Sequence, residues 1–370
     1  MTRHGLPGAT VAAGLAIAAH AARGQTSTSL ITVDGDDAAR LRLDGRIQYR
    51  AIANARDSVG DDGFTTGSQF RRLRLIATAQ PTERLTLQIE GEGRDGPLEL
   101  LEAWALVDLS PRWTLRLGQF TNAFNRIRST SNADLQLVDR PIVSYEIQPQ
   151  PSIRTQGLEL AFQGRDHRLA FSLNEGADGI NTTFVEDDQD IALTLRLDRL
   201  LHGSFERFQR LNAPPGSGFA AVLGAGVHAR AGTAGSGDRL AWNVDAGLLG
   251  DGWSAHAAYL GHTAQDLNAA GEPESIHAFY AQGGLFLTET VELVARYEHA
   301  LTSEDDDTLS IVVAGVNWFV YGRALKLSSD LTYALEPVSG TFARPDDGLL
   351  ADGPGRGGQI AWRLQLQLMF

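Results

Sequence analysis

The feature that most constrains this chain is a period-two alternation of apolar and polar residues that recurs along almost its whole length and runs to its last residue. In Arg363–Phe370, Leu364, Leu366, Leu368 and Phe370 fall on one side of an extended strand, and Arg363, Gln365 and Gln367 on the other. Arg40–Ala53 repeats the pattern, with Leu41, Leu43, Ile47 and Tyr49 opposite Arg42, Asp44, Arg46, Gln48 and Arg50. Leu73, Leu75 and Ala77 alternate with Arg72 and Arg74, and Leu85, Leu87 and Ile89 with Thr86, Gln88 and Glu90. Clean runs follow at 113–119, 155–163, 168–174, 190–198, 239–249, 291–299, 324–335 and 357–370. Less regular ones lie at 99–109, 219–231, 253–262, 274–287 and 308–320, where the two faces are harder to tell apart. Together the segments make sixteen strands.

Alternation alone also suits a soluble sandwich, whose inner face is apolar. The connections argue for a membrane barrel instead. Tight links at 81–84, 110–112, 164–167, 250–252, 288–290 and 321–323 alternate with long ones at 53–67, 120–154, 175–188, 263–273, 301–307 and 337–356, the plan of short periplasmic turns and long outer loops. The link at 199–217, with Pro214-Pro215, breaks the rule once. Trp113, Trp253, Tyr321, Trp362 and Phe370 stand near strand ends, as aromatic girdles do. A strand ending on an aromatic residue is also how outer-membrane barrels commonly finish. Lipid satisfies no backbone group, so such strands must close on one another, the first at 40–53 against the last at 358–370. The expectation is an all-β, 16-stranded antiparallel transmembrane β-barrel with a constriction loop, wide enough to leave an aqueous channel.

The N-terminus fits export. Arg3 and His4 precede an apolar run of small residues, Ala9–Ala22, and Ala19-His20-Ala21 offers a small-x-small cleavage pattern. Residues 1–24 are expected to be a signal peptide cleaved after Ala21 or Gly24, residues 25–39 a short lead, and 40–370 the barrel. The apolar run is shorter than the roughly 20 residues of a spanning helix. Zero cysteine excludes disulfides and thiolate zinc sites. A formal net charge of -13 argues against nucleic acid as a partner.

No cofactor or metal is expected, and no enzyme. The nine histidines show no metal-ligand pair at helical spacing, and no Gly-x-Ser-x-Gly motif occurs. Gly224-Ala225-Gly226-Val227-His228-Ala229 spells a dinucleotide fingerprint but lacks a following amphipathic helix. A Ser-His pair assembled across strands stays open on sequence grounds.

Three stretches resemble the phosphate-selective porin O/P family. Phe70–Thr78 (FRRLRLIAT) resembles its paired-arginine second strand. Leu115–Phe124 (LRLGQFTNAF) resembles its Leu-x-x-Gly-Gln-Phe strand end, followed by a loop containing Asp139-Arg140-Pro141. Gly315–Leu327 (GVNWFVYGRALKL) resembles its Gly-Val-Asn-Trp/Tyr hairpin. The resemblance implies a sixteen-stranded, homotrimeric outer-membrane channel whose loop after the fifth strand folds inward, with basic residues drawing anions to the constriction. The chain departs from the family where Thr121-Asn122-Ala123-Phe124 replaces Lys-Glu-Pro-Phe. Lys326 is also its one lysine, which leaves no lysine ring for phosphate.

An anion gains from fixed positive charge in a narrow passage, and arginine grips oxyanions with paired hydrogen bonds. Arg40, Arg42, Arg46, Arg50, Arg72, Arg74 and Arg116 fall on the polar side of the first, second and fifth strands. Arg126, Arg128, Arg140 and Arg154 lie in the constriction loop. Arg196, Arg230, Arg296 and Arg363 are the chief inward arginines of the second half. The competing reading pairs these arginines with Glu90, Glu92, Glu102 and Glu159 around a general pore. Acidic loop residues (Asp57, Asp61, Asp62; Glu186, Asp187, Asp188; Glu304–Asp307; Asp346, Asp347) read as solvated surface charge, with cation bridges to lipopolysaccharide phosphates a further option. The function expected is passive diffusion of small solutes with anion preference. A general or sugar-permeable porin is the alternative, and a closed barrel enzyme or surface-binding protein a more distant one.

Overall fold

The computed structural model describes residues 31–34, 39–57, 63–94, 96–146, 154–175, 191–232, 238–267, 273–303, 307–353 and 356–370. Sixteen strands form the wall. The first eight are β2 (Arg40–Ala55), β3 (Phe64–Thr82), β4 (Leu85–Glu92), β5 (Glu99–Asp108), β6 (Trp113–Thr121), β7 (Arg154–Gln163), β8 (His167–Asn174) and β9 (Ile191–His202). The rest are β10 (Ala220–Ala231), β11 (Arg239–Leu249), β12 (Trp253–Leu267), β13 (Pro273–Phe286), β14 (Val291–Thr302), β15 (Thr308–Tyr321), β16 (Leu325–Ala334) and β17 (Ile360–Met369). Each pairs antiparallel with its chain neighbours, and β17 pairs with β2 to close the ring, Leu364 opposite Ala51 and Gln367 opposite Gln48. Closure between the first and last segments is as the sequence requires.

A short strand also precedes the wall. Ile31–Asp34 forms a short strand, β1, antiparallel to Arg40–Leu43. Because β3 pairs with the whole of β2, β1 takes the other edge, in line with β17 and beyond Phe370.

The two faces of the wall settle what kind of barrel this is. Outward positions carry exposed apolar side chains, among them Leu75, Ile89, Leu193, Leu195, Leu197 and Val244. Inward positions carry Gln48, Arg50, Arg116, Thr194, Arg196, Asn243 and Gln365, all buried. A soluble sandwich would bury the apolar face. This polarity is inverted, and only a lipid surround makes an apolar band of that extent favourable.

One expectation needs correction: the inward side chains do not all face water. Residues 122–146, between β6 and β7, lie inside the barrel. Their Ile127, Leu135, Leu137, Ile142 and Val143 form an interior apolar cluster with Leu260, Ile276, Leu309, Ile311 and Val313 of the wall. The link after β16 enters too, adding Val338, Phe342 and Leu349. Side chains cannot fill so wide a lumen, but inserted loops can. This explains the irregular segments. β5, β12, β13 and β15 carry apolar residues at inward positions (Trp104, Leu106; Ala258, Leu260; Ile276, Ala278; Leu309, Ile311), all buried from water, and those of β12, β13 and β15 meet the inserted loops.

Candidate functional site: the passage beside the inward loop

The loop makes two α-helical turns, α1 (Arg126–Ser129) and α2 (Val143–Glu146), with a 3₁₀ turn at Asn132–Asp134 between them. Asn125 caps α1, its Oδ1 accepting from Arg128 N at 3.0 Å. Side chains from around the ring then hold the loop in place. Asn243 Nδ2 donates to Phe124 O at 2.6 Å and Asn317 Nδ2 to Gln136 O at 2.6 Å. Lys326 Nζ donates to Leu135 O at 2.9 Å, Arg296 Nη1 donates to Asp139 O at 2.9 Å, and Asp330 Oδ2 accepts from Val138 N at 2.9 Å. These anchors sit on β11 and β14–β16, so the loop leans on that side and leaves space on the other.

The space is a narrow cavity of about 80 Å³ between Arg128–Asn132 of the loop and the wall from β2 to β7. Six of the sequence-predicted arginines line it: Arg42, Arg46, Arg74, Arg128, Arg140 and Arg154. Only three carboxylates do, Asp44, Glu90 and Glu102. Thr121, Ser129, Thr130 and Ser131 supply hydroxyls.

These six differ in how far carboxylates occupy them. Arg42 pairs with Asp44 at 2.8 Å, and Arg74 with Glu90 and Glu92, each at 2.6 Å. Arg154 stands 3.8 Å from both Glu90 and Glu102. Among the described residues, Arg46, Arg128 and Arg140 have no carboxylate within 4.0 Å. Arg46 donates to Ser131 Oγ at 3.1 Å. Arg128 lies over the Tyr145 ring, 4.0 Å from its centroid, and Arg140 donates to Ile127 O at 2.9 Å and also to Thr130 O and Asn132 Oδ1. Burial, joined by nearby Arg128, pushes Arg140 down to about 9, and burial pushes Arg128 down to about 10, so both remain charged at neutral pH. Desolvated cations without counter-charges have the most to gain from a visiting anion.

Four expected site residues lie elsewhere and do structural work. Arg50 holds Asp139 at 2.5 Å and Asp347 at 3.1 Å, clasping both inserted loops. Arg72 donates to Gln48 Oε1 at 3.0 Å, behind that clasp. Arg116 pairs with Glu159 at 2.8 Å and stacks on Phe120. Arg126 is bound by Asp198 at 2.6 Å and Asp245 at 2.8 Å on the far wall. In the second half, Arg196, Arg296 and Arg363 are likewise paired, with Asp198, Glu298 and Asp330.

Sequence reasoning missed Arg71. A bulge in β3 sets Gln48 opposite Arg72 but Tyr49 opposite Phe70, so Arg71 has no partner across the ladder and turns inward beside Arg72, 3.5 Å from Asp347. Two adjacent arginines among alternating apolar residues were the available signal.

The long-loop acids can be followed only in part. Asp61, Asp62, Glu186–Asp188 and Glu304–Asp306 lie outside the described residues. Asp346 is exposed and Asp347 buried. Among the described residues no group of histidines and carboxylates is placed to hold a metal ion, and no helix is long and apolar enough to cross a membrane.

No family model matches this chain, and no curated relative does. Solved structures do match. An anion-selective porin from Comamonas acidovorans superposes with a TM-score of 0.61 at 14% identity, over 90% of this chain and 100% of that one. The fold is that of the outer-membrane porins. OmpF of Salmonella typhi, in complex with daunomycin, gives 0.60 at 11% identity over 92% of this chain and 100% of its own. The outer-membrane channel DcaP of Acinetobacter baumannii gives 0.59 at 14% identity, again over 92% and 100%. At these identities the shared property is the porin architecture, a closed ring of antiparallel strands.

Proposed function

We propose that this chain is an outer-membrane porin, a non-enzymatic channel through which small solutes diffuse passively, with a preference for anions. The observation that carries the reading is the lining of the passage: six arginines against three carboxylates in a chain whose formal net charge is -13. Such an excess has to be placed against the composition, and it lines the space between the inward loop and the wall from β2 to β7. A desolvated, low-dielectric constriction magnifies each fixed charge. Hydroxyls and guanidinium groups together can replace part of an oxyanion's hydration shell.

Phosphate-like anions fit that chemistry, as do other small carboxylates and oxyanions. Selection of phosphate alone is not favoured, because Lys326 is engaged by the carbonyl oxygens of Ala133 and Leu135. The architecture and the resemblance of Phe70–Thr78 and Leu115–Phe124 support residence in the bacterial outer membrane, contact with lipopolysaccharide, and assembly as a homotrimer. Residues 1–24 would serve as the export signal. The tight-turn end, with Thr82 and Thr288, would face the periplasm.

The test is reversal potential in a planar bilayer under a salt gradient. A sign corresponding to anion flux, strongest at low salt where screening is weakest, is expected. Cation preference would overturn the charge assignment, and absence of conductance would overturn the channel itself.

A further inference from the structure

One link fits none of this. Residues 203–219, between β9 and β10, sit at the end of the barrel where every other connection is tight, yet the apolar side chains in the middle of the link are buried. Phe205–Gln209 forms a 3₁₀ turn whose Phe205 and Phe208 are buried, and Leu211 and Ala213 after it are buried as well. Pro214 and Pro215 are exposed. The chain leaves β9 through Gly203, whose φ of +83° and whose absent Cβ, 2.7 Å from Ala220, both demand glycine.

What these residues cover is informative. At the tight-turn ends of β9, β10 and β11 the alternation lapses, and Leu200, Ala220, Val222 and Leu249 occupy inward positions. An apolar patch inside a water-filled barrel is unfavourable unless something seals it. Phe205, Phe208 and Ala213 complete one cluster with those four residues. Patch and link are complementary features of one sequence.

The same link reaches the inward loop. Leu211 belongs to the interior cluster that contains Ile127 and Leu135. Its carbonyl oxygen meets His256 Nε2 at 2.6 Å. The Arg126 guanidinium, fixed by Asp198 and Asp245, lies 5.7 Å from the centre of the Phe208 ring. Arg168 stacks on Phe205 at 4.1 Å, and Arg210 Nε stands 3.9 Å from Asp134, the carboxylate of the inward loop that Arg323 also holds.

We propose that 203–219 is a built-in plug that seals the lumen under β8–β12 and props the inward loop, so that permeation is confined to the arginine-lined side at β2–β7. This rests on the porin reading and adds a second determinant of its selectivity. Phe208 and Leu211 are positioning residues: they touch no solute, and act by denying solutes a second route on the side where Arg126, Arg168 and Arg196 are nearly balanced by Asp198 and Asp245.

Two variants and one labelling experiment test it. Replacing Ser204–Ser217 with an Asn-Gly turn should raise single-channel conductance roughly two-fold or more, as the unplugged half becomes aqueous. It should also bring the anion-to-cation permeability ratio toward one. The F208S/L211S double variant keeps the link's length and should do the same to a smaller degree. Conductance and selectivity unchanged in both variants would overturn the proposal, whereas a wild-type chain that never conducts would instead overturn the porin reading. Independently of refolding in either variant, L211C in the otherwise native chain should resist a bulky thiol reagent that modifies P215C readily. Equal modification rates would show that the link hangs free and plugs nothing.

Discussion

The ring of Phe370 lies directly over Gly45, and the two residues exchange backbone hydrogen bonds, Gly45 N to Phe370 O at 2.5 Å and Phe370 N to Gly45 O at 3.1 Å. A Cβ at Gly45 would come within 2.3 Å of that ring. The last residue is therefore not a loose end. It completes the β17–β2 seam by which the barrel abolishes its edges. Replacing Gly45 with Val should displace the ring and lower the folded, membrane-inserted fraction several-fold, and deleting Phe370 should do the same. Heat-modifiable migration of the outer-membrane fraction measures this directly. Normal assembly of both variants would falsify the importance given to the seam.

Sidedness is open to thiol chemistry because the chain has no native cysteine. Cysteine placed at Asp346 should react with an impermeant reagent in intact cells, since its side chain is 55% exposed in the loop after β16. Thr82 and Thr288, in tight turns at the opposite end, should be protected until the outer membrane is opened. The reverse labelling pattern would turn the molecule over in the membrane.

How much of this was legible beforehand follows from which force acts where. Strand number, closure and the inside-out polarity were readable because lipid outside and water or polar groups inside impose opposite demands on successive residues. Legibility failed where an inserted segment replaced water. Leu260, Ile276 and Ile311 face inward against Ile127, Leu137 and Phe342, so period-two alternation vanished there although the strands did not. The arginines show the same limit. Arg46, Arg50, Arg72 and Arg74 are alike in sequence, yet Asp139 and Asp347 claim Arg50, from loops about ninety and three hundred residues away. Partners that distant leave no local signal. The bulge that turns Arg71 inward left one local mark, the adjacent Arg71-Arg72 pair in an otherwise alternating strand.

The Arg50 clasp should be robust to acid. Burial alone would raise Asp139, but Arg50, Arg71 and Arg72 outweigh it and hold its carboxyl below the usual range. Burial and neighbouring Asp139 raise Asp347 instead. The signs follow. The depressed Asp139 contributes stability that is present above the ordinary carboxylate range and lost only as pH falls through its lowered value. The raised Asp347 favours the folded state below the ordinary range, and that contribution is lost as pH rises through its own value. Acidification to just above the ordinary range, about pH 4, should therefore leave the inward loop anchored, with steady single-channel current. Asp139→Asn removes the clasp and should produce noisy, enlarged currents at neutral pH. Equally quiet recordings from that variant would remove Asp139 from the anchoring scheme.

The arginines of the loop should separate by role. Arg126 is locked between Asp198 and Asp245, so Arg126→Ser leaves two buried carboxylates with Arg196 as their shared partner. Losing one partner of a buried ion-pair cluster costs about 3–5 kcal/mol, less where lumen water relieves it, and the expected signature is reduced yield of folded barrel. Arg128 and Arg140 face the passage with no carboxylate within 4.0 Å among the described residues, and Arg46 faces them from β2. Replacing Arg46 and Arg128 with Ser should leave assembly close to normal while moving the reversal potential toward cation preference. Arg140 also ties together the carbonyl oxygens of Ile127 and Thr130, so Arg140→Ser should change both quantities. The selectivity shift should be large at low salt and shrink as the Debye length falls to about 3 Å near 1 M. Glu90 and Glu102 remain in the lining, and with Arg46 and Arg128 gone the count is close to balanced, so near-zero selectivity rather than full inversion is the expected end point. A reversal potential unchanged at every salt concentration would strip the passage arginines of their role and leave the barrel, its seam and its plug standing.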